Sequence, residues 1–169
     1  MESNDIRGLN YTYNADGYIW KYLGVDKTTA RAASENDQNY IIYRLADVLL
    51  MKAEALIMQG RNEEAADLID RTRERAGLGE TTLSDDRMVM LETLLVERQK
   101  EFFGEGKNWF DLLRIGLRSE QLNDTQYKTL FVEQALKAVG ASRQSLGRAT
   151  LANLSLIHIS EPTRLRCIS

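Results

Sequence analysis

Tyr40–Gly60 (YIIYRLADVLLMKAEALIMQG), followed at once by Asn62–Gly77 (NEEAADLIDRTRERAG), decides the fold. In the first stretch Ile42, Leu45, Leu49, Ala53 and Leu56 recur at helical spacing, and Ile41, Val48 and Ala55 widen the stripe. That recurrence predicts an α-helix from residue 39 or 40, and a stripe this wide predicts a helix buried between neighbours. Gly60 is expected to end it, because a glycine reaches positive φ without a Cβ clash. Asn62 is expected to cap a second helix, with Glu63 and Glu64 favoured in its first turn by the helix dipole. Ala65, Leu68, Ile69 and Thr72 form its predicted inner face, and Gly77 its stop, with Leu78 folding back as the accompanying apolar contact.

Two helices joined by so short a turn make an antiparallel hairpin. The stretch Gln59–Ala65 resembles the turn of a tetratricopeptide (TPR) repeat, where a glycine ends one helix and a small residue lets the next pack closely. One hairpin cannot bury both of its faces, so such units need stacked neighbours; no second clear copy of the period is visible. Further on, Ser84 is expected to cap a third helix with Asp85 and Asp86 in its first turn. Met88, Leu91, Leu95 and Phe102 are its apolar positions, flanked by Leu94 and Phe103, and Gly104 and Gly106 break it. Asn108 is expected to cap a short fourth helix, Trp109–Ile115, closed by Gly116. A fifth spans Thr125–Val139, with Tyr127, Leu130, Phe131, Ala135 and Ala138 inward. A sixth, Ala141–Ala152, is interrupted by Gly147. The prediction is an all-α domain over residues 39–153. Residues 1–38 are polar and rich in Asn, Asp and Gly; they read as an irregular, loop-rich segment of the same domain. A turn at Asn14–Gly17 and a short strand at Tyr18–Tyr22 are its expected regular features.

Composition narrows the function classes. A length of 169 residues suits one domain of roughly 100–200 residues, and 43% hydrophobic residues suffice for a core. A net charge of −3 and the lack of a clustered Lys/Arg run argue against nucleic acid as a partner. No apolar run approaches the roughly 20 residues that span a bilayer. MESNDIRGLN, at the start, has no apolar core of a signal peptide, so the expectation is either a cytoplasmic protein or a native start that lies upstream. Residues 154–169 are expected to be a non-native tail. LSLIHISEPTR (Leu154–Arg164) reads as an in-frame translation of a transposase-type sequencing-library adapter. The only His (His158), Pro (Pro162) and Cys (Cys167) fall in that tail, which leaves no disulfide, thiolate, triad or zinc chemistry for the rest.

Candidate chemistry therefore rests on charges and aromatics. Arg44, Asp47 and Glu54 lie at offsets that keep them on one face of the first helix, and charges on a helix this apolar must be paired where desolvated. Arg71, Arg73 and Arg75 on the second helix and Glu97, Arg98 and Glu101 on the third are the candidate partners. The favoured interpretation is an inter-helix ion-pair network that fixes register. The sharper one is a catalytic carboxylate pair, Glu97 and Glu101, since glycoside hydrolysis needs two carboxyls about 5–9 Å apart. Arg98 and Lys100 oppose it, because a general acid needs a raised pKa and neighbouring cations lower it. Gly104-Glu105-Gly106 lacks the Lys-Ser/Thr and preceding strand of a phosphate loop, and no acidic series has calcium-loop spacing. Trp109 and Phe110, opening a short helix, are expected to be core anchors. Trp20, with Tyr18 and Tyr22, is the better candidate for ligand contact, since binding residues concentrate on loops.

Taken together, Tyr43-Arg44-x-Ala46-Asp47-Val48-Leu49-Leu50-Met51-x-Ala53-Glu54-Ala55, then Arg73-x-Arg75-Ala76-Gly77-Leu78, then Glu97-Arg98 and Glu101, then Glu105-Gly106-x-x-Trp109-Phe110-Asp111-Leu112-x-Arg114 resemble the C-terminal helical core of the SusD/RagB family. The resemblance implies a TPR-like scaffold belonging to a lipid-anchored outer-membrane protein. Such a protein captures glycans or other nutrients for a SusC-like TonB-dependent transporter, without a cofactor, a metal or enzymatic activity. It also implies that the matched charges, Asp111 and Arg114 included, are scaffold. The lipidated cysteine and N-terminal half of the family are absent from these 169 residues, and the family's closing segment is replaced by the tail. A cytosolic TPR adaptor that binds peptides and a helical glycan-cleaving enzyme stay open as alternatives.

Overall fold

The computed structural model describes residues 4–8, 12–13, 19–22, 39–137 and 144. They form two compact units, Met1–Lys107 and Asn108–Ser169. The described residues are all-helical: α1 (Leu45–Met58), α2 (Asn62–Arg75) and α3 (Arg87–Glu101) in the first unit, α4 (Asn108–Leu122) and α5 (Thr125–Leu136) in the second. Among the described residues near the N-terminus are a 3-10 turn, Trp20–Tyr22, and an isolated antiparallel bridge between Tyr13 and Ile19. Tyr18–Tyr22 is thus not a strand, though Tyr18 itself, the Asn14–Gly17 turn, the tail and all of the expected sixth helix but Gln144 lie outside the described residues.

α1 and α2 pack as the expected hairpin, and α3 packs against both. The hairpin turn follows from Gly60 at φ +76°. Its N–H donates to the Ile57 carbonyl at 3.0 Å and that of Arg61 to Leu56 at 2.9 Å, the two bonds of a Schellman closure. Gly77, at φ +77°, repeats the device at the end of α2: its N–H reaches Glu74 and that of Leu78 reaches Arg73, both at 2.9 Å, and Leu78 is buried. The core between the three helices is Leu50, Ala53, Leu56, Ile57, Ala65, Ile69, Met90, Leu91, Leu94 and Leu95.

Several boundaries differ from the sequence expectation. α1 begins at Leu45, so Tyr40–Tyr43 are not helical, and Arg44 sits at the N-cap position with extended φ −148°, ψ 168°. The helix is also rotated: Asp47, Leu50, Ala53, Glu54 and Ile57 face inward, while Ile42, Leu45 and Val48 are exposed. The charged stripe therefore turns to the core, for the electrostatic reason given below. Asn62 opens α2 without capping it; Arg61 is the N-cap residue and makes no side-chain cap, and the Asn62 amide instead donates to the Ser84 carbonyl at 2.9 Å. Asp86, not Ser84, caps α3, accepting from the Met88 N–H at 2.7 Å. Ser84 accepts from the Asp86 N–H at 3.1 Å.

In the second unit, α4 runs through Gly116 to Leu122 instead of ending at Ile115. A mid-helix glycine costs only about 1 kcal/mol relative to alanine, and buried Asp111, Leu112, Leu113, Ile115 and Gly116 give the helix a continuous packed side. Asp124 caps α5, accepting from the Gln126 N–H at 2.9 Å, and buried Tyr127, Leu130, Phe131 and Val132 pack it on α4. Trp109 and Phe110 are exposed and do not anchor a core, because Asp111, Leu112 and Ile115 take the inner side; the Trp109 ring lies 6.2 Å from that of Phe131.

The two Schellman glycines separate backbone strain from crowding. A Cβ at Gly60 would meet nothing within 4 Å, whereas one at Gly77 would stand 3.2 Å from the Asn4 carbonyl oxygen. Gly60→Ala is expected to lower the unfolding free energy by about 1–2 kcal/mol, the left-handed penalty alone. Gly77→Ala should cost more and also loosen the N-terminal segment, whose Ile6 N–H donates to the Ala76 carbonyl at 3.1 Å. Urea denaturation of the two variants side by side checks the order.

Candidate functional site

Glu97, Glu101 and Glu105 follow one another at helical-turn spacing, the first two on α3 and the third in the turn after it, and all three are buried. A row of like charges four residues apart repels itself, and a desolvated carboxylate has to be paired or protonated. The first unit pairs them with cations drawn from five separate segments. Arg7 reaches Glu97 and, at 3.1 Å, Glu101; Asp5, at 2.9 Å, holds its guanidinium in place. Arg73 faces the other oxygen of Glu97 at 3.6 Å. Arg44 bonds Glu101, the Glu101 carbonyl at 2.6 Å and Glu105 at 2.9 Å, and Arg75 also bonds Glu101. Lys21 donates to the Glu101 carbonyl and to Glu105, each at 2.7 Å. Lys107 joins Glu105 (3.3 Å) to Asp47, which also faces Arg98 at 3.6 Å.

The same cations gather around one ring. Arg44, Arg98 and Lys107 lie 4.7, 4.8 and 4.7 Å from the centroid of buried Phe102, so its π-electrons and the carboxylates stabilise the same charges. Burial pushes the Glu101 carboxyl up, but Arg44, Arg75 and Arg7 outweigh it and hold the group below the ordinary carboxylate range. Burial likewise opposes ionisation of Glu105, and Arg44 and Lys21 reverse it. For Lys21, burial wins over its Glu105 partner and lowers the ammonium's pKa. Glu101 is therefore ionised and covered on several sides, the opposite of what a general acid requires.

These contacts place the sequence candidates. Arg44, Asp47, Arg73, Arg75, Glu97, Arg98 and Glu101 meet in this one cluster. Glu54 is buried on the same face of α1. Asp111 and Arg114 belong to the second unit, where they pair with each other across one helical turn at 3.1 Å. Asp5, Arg7, Lys21, Glu105 and Lys107 are members the sequence analysis did not single out as partners. The i, i+4, i+8 row of glutamates was a signal that more cations were needed, but nothing local pointed to Arg7, ninety positions from Glu97.

Of the aromatic candidates, Tyr18 lies outside the described residues, and Trp20 opens the 3-10 turn. Tyr22 stacks on Tyr40, with centroids 6.1 Å apart and planes 6° from parallel, and its hydroxyl is 3.5 Å from the Gly104 carbonyl. Tyr40 in turn donates to the Glu105 carbonyl. Gly104 (φ +80°) lets Ile19 lie close over the backbone, since a Cβ there would stand 2.9 Å from the Ile19 side chain. A cleft of about 330 Å³ lies beside the α1–α2 turn, lined by Ile57, Asn62, Glu64, Leu83, Asp85 and Arg87 among others, and has no aromatic in its wall. Among the described residues no group of His, Cys, Asp or Glu is arranged to hold a metal ion, and no helix is long and apolar enough to cross a membrane.

Two outcomes follow from the cluster. Arg44→Met, which strips a partner from both Glu101 and Glu105, is expected to cost about 3 kcal/mol; Arg75→Ala, at the same Glu101 oxygen but with a side chain 62% exposed against 26% for Arg44, should cost under about 1 kcal/mol. Chemical denaturation of both variants tests the contrast. Because Glu101 and Glu105 have folded-state pKa values below their unfolded ones, their contribution is complete above the unfolded value and is lost as pH falls through the folded one. Tm should hold steady from neutrality down to about pH 5 and drop below about pH 4; a Tm already falling between pH 7 and 6 would contradict this account.

A model of the SusD family matches residues 3–149. Relatives in Formosa agariphila include SusD-like protein P38, 38% identical over 89 residues (48% of this chain, 18% of the relative). They also include SusD-like protein P2, 34% identical over 113 residues (60% and 21%), and SusD-like protein P25, 33% identical over 123 residues (71% and 22%). The chain spans about a fifth of the length of these relatives. No solved structure gives a significant match. With the family match running from the Arg7 segment through all five helices, the chain belongs to the SusD family.

Proposed function

We propose that this chain is the helical scaffold of a non-enzymatic nutrient-capture subunit, lipid-anchored on the outer membrane, that takes up glycans or similar oligomers and works with a SusC-like TonB-dependent transporter. The family match over residues 3–149 carries this reading. The carboxylate cluster supports its non-enzymatic part: Glu101, one member of the carboxylate pair weighed for glycoside cleavage, is held ionised by three arginines. The same cluster supports a scaffold role for the charged helix faces. Tyr18, Trp20 and Tyr22 are the proposed sugar contacts of this chain, with Tyr40 backing Tyr22.

The complete protein, run on native gels cast with individual polysaccharides, should be retarded by at least one of them and release no reducing sugar from any. Trp20→Ala with Tyr22→Ala should weaken that retardation while leaving the helical circular dichroism unchanged. Release of sugar that is abolished by Glu97→Gln or Glu101→Gln would establish the enzyme instead. A protein that ignores every glycan and does not co-purify with an outer-membrane barrel would leave the proposal without support and favour a peptide-binding adaptor.

A further inference from the structure

The N-terminal segment is held to the helices by charge more than by apolar contact. Among its described residues, the buried ones are Asp5, Arg7 and Thr12, while Ile6 and Ile19 are 48 and 37% exposed. Two cations anchor it: Arg7 on Glu97 and Glu101, and Lys21 on Glu105 and the Glu101 carbonyl. Both sides of this contact keep partners when they separate. Glu97 retains Arg73, Glu101 retains Arg44 and Arg75, and Glu105 retains Arg44 and Lys107, none of them from the N-terminal segment. On the other side, Asp5 grips the Arg7 guanidinium at two points, each 2.9 Å, so Arg7 leaves with its counter-ion. Breaking a buried ion pair is costly when it strands a charge, and here neither surface strands one. The helices rest on the apolar core of Leu50, Ile57, Ile69, Met90, Leu91 and Leu94, in which no described residue of the segment takes part.

We propose that this segment is a clasp that opens as one unit while α1, α2 and α3 stay folded, and that a ligand of the aromatic site holds it shut. The ligand coupling rests on the proposed function, which puts sugar contacts at Tyr18, Trp20 and Tyr22. Lys21 and Tyr22 travel with the clasp, whereas Tyr40 stays with the helices through its bond to the Glu105 carbonyl. Opening therefore parts the stacked Tyr22–Tyr40 pair and divides the site in two. A ligand that needs both halves binds the closed form and shifts the population toward it.

Amide hydrogen exchange on the complete protein, read from peptides over residues 4–8 and 88–98, tests the clasp with no ligand present. The first peptide is protected through the Ile6 bond to Ala76. Its protection is expected to be at least about 100-fold below that of the second, which opens only with the core. Lys21→Met removes the anchor at the other end of the segment and leaves Glu105 with Arg44 and Lys107. It should lower protection over residues 4–8 about tenfold, the loss of one charged anchor, and leave residues 88–98 unchanged. Equal protection of the two peptides would overturn the clasp. So would a Lys21→Met effect that stays within residues 19–22 or that reaches residues 88–98 equally. A polysaccharide that retards the protein, added at about 100 times its Kd, should raise protection over residues 4–8 up to about 100-fold; no gain would overturn the coupling. A protein that retains no polysaccharide would remove the proposed function and the coupling with it, while the exchange comparison still decides the clasp.

Discussion

Neutralising three buried glutamates is the constraint on which the first unit depends. Once α3 presents Glu97, Glu101 and the following Glu105 toward the interior, the apolar core cannot close until each has a cation. Arg44 supplies two of them from the start of α1. Its backbone is extended, as at an N-cap, and from there its guanidinium reaches across to α3, while α1 is rolled so that Asp47 meets Arg98 and Lys107. The apolar residues that the roll displaces, Leu45 and Val48, are the ones left outside.

The same constraint recruits the N-terminal segment. Arg7 and Lys21 lie in stretches with little secondary structure of their own, yet each places a cation on the α3 row. Hydrophobic contacts follow the charges: Tyr13 packs 5.7 Å from Phe103, Ile19 lies over Gly104, and Tyr22 stacks on Tyr40. A buried network of this kind is weak evidence for net stability, because desolvation offsets much of the Coulombic gain. Its stronger consequence is register. A one-residue slip of α1 on α3 would move Arg44 off Glu101 and Asp47 off Lys107 together, so mispaired arrangements leave several charges uncovered at once.

How legible this was differs between elements. The Gly60 and Gly77 stops, the hairpin and the existence of the helices from α1 to α5 were readable, because each rests on local chemistry: apolar period, positive-φ glycine, acidic first turn. Caps were readable only to within a residue or two, since Ser84 and Asp86 are both good caps and the choice between them depends on where α3 packs. α4 passes through Gly116 for a related reason, its packed side outweighing the modest helical penalty of one glycine. Within the cluster, Arg44, Asp47, Arg73, Arg75, Glu97, Arg98 and Glu101 stood out by sequence as charges on apolar helices. Asp5, Arg7, Lys21 and Lys107 did not, because in sequence they look like any solvated charge.

The amino-acid sequence by itself determined the helical class, the hairpin and, through four dispersed charged and aromatic motifs, the SusD family. Those are properties of short stretches, where periodicity and backbone preference act over a few residues. Tertiary structure alone decided which side of α1 faces inward, which cations meet the Glu97–Glu105 row and which apolar face is left uncovered. Each of those depends on desolvation, and whether a charge or a leucine is desolvated is set by what other segments bring against it, from as far as 94 residues away.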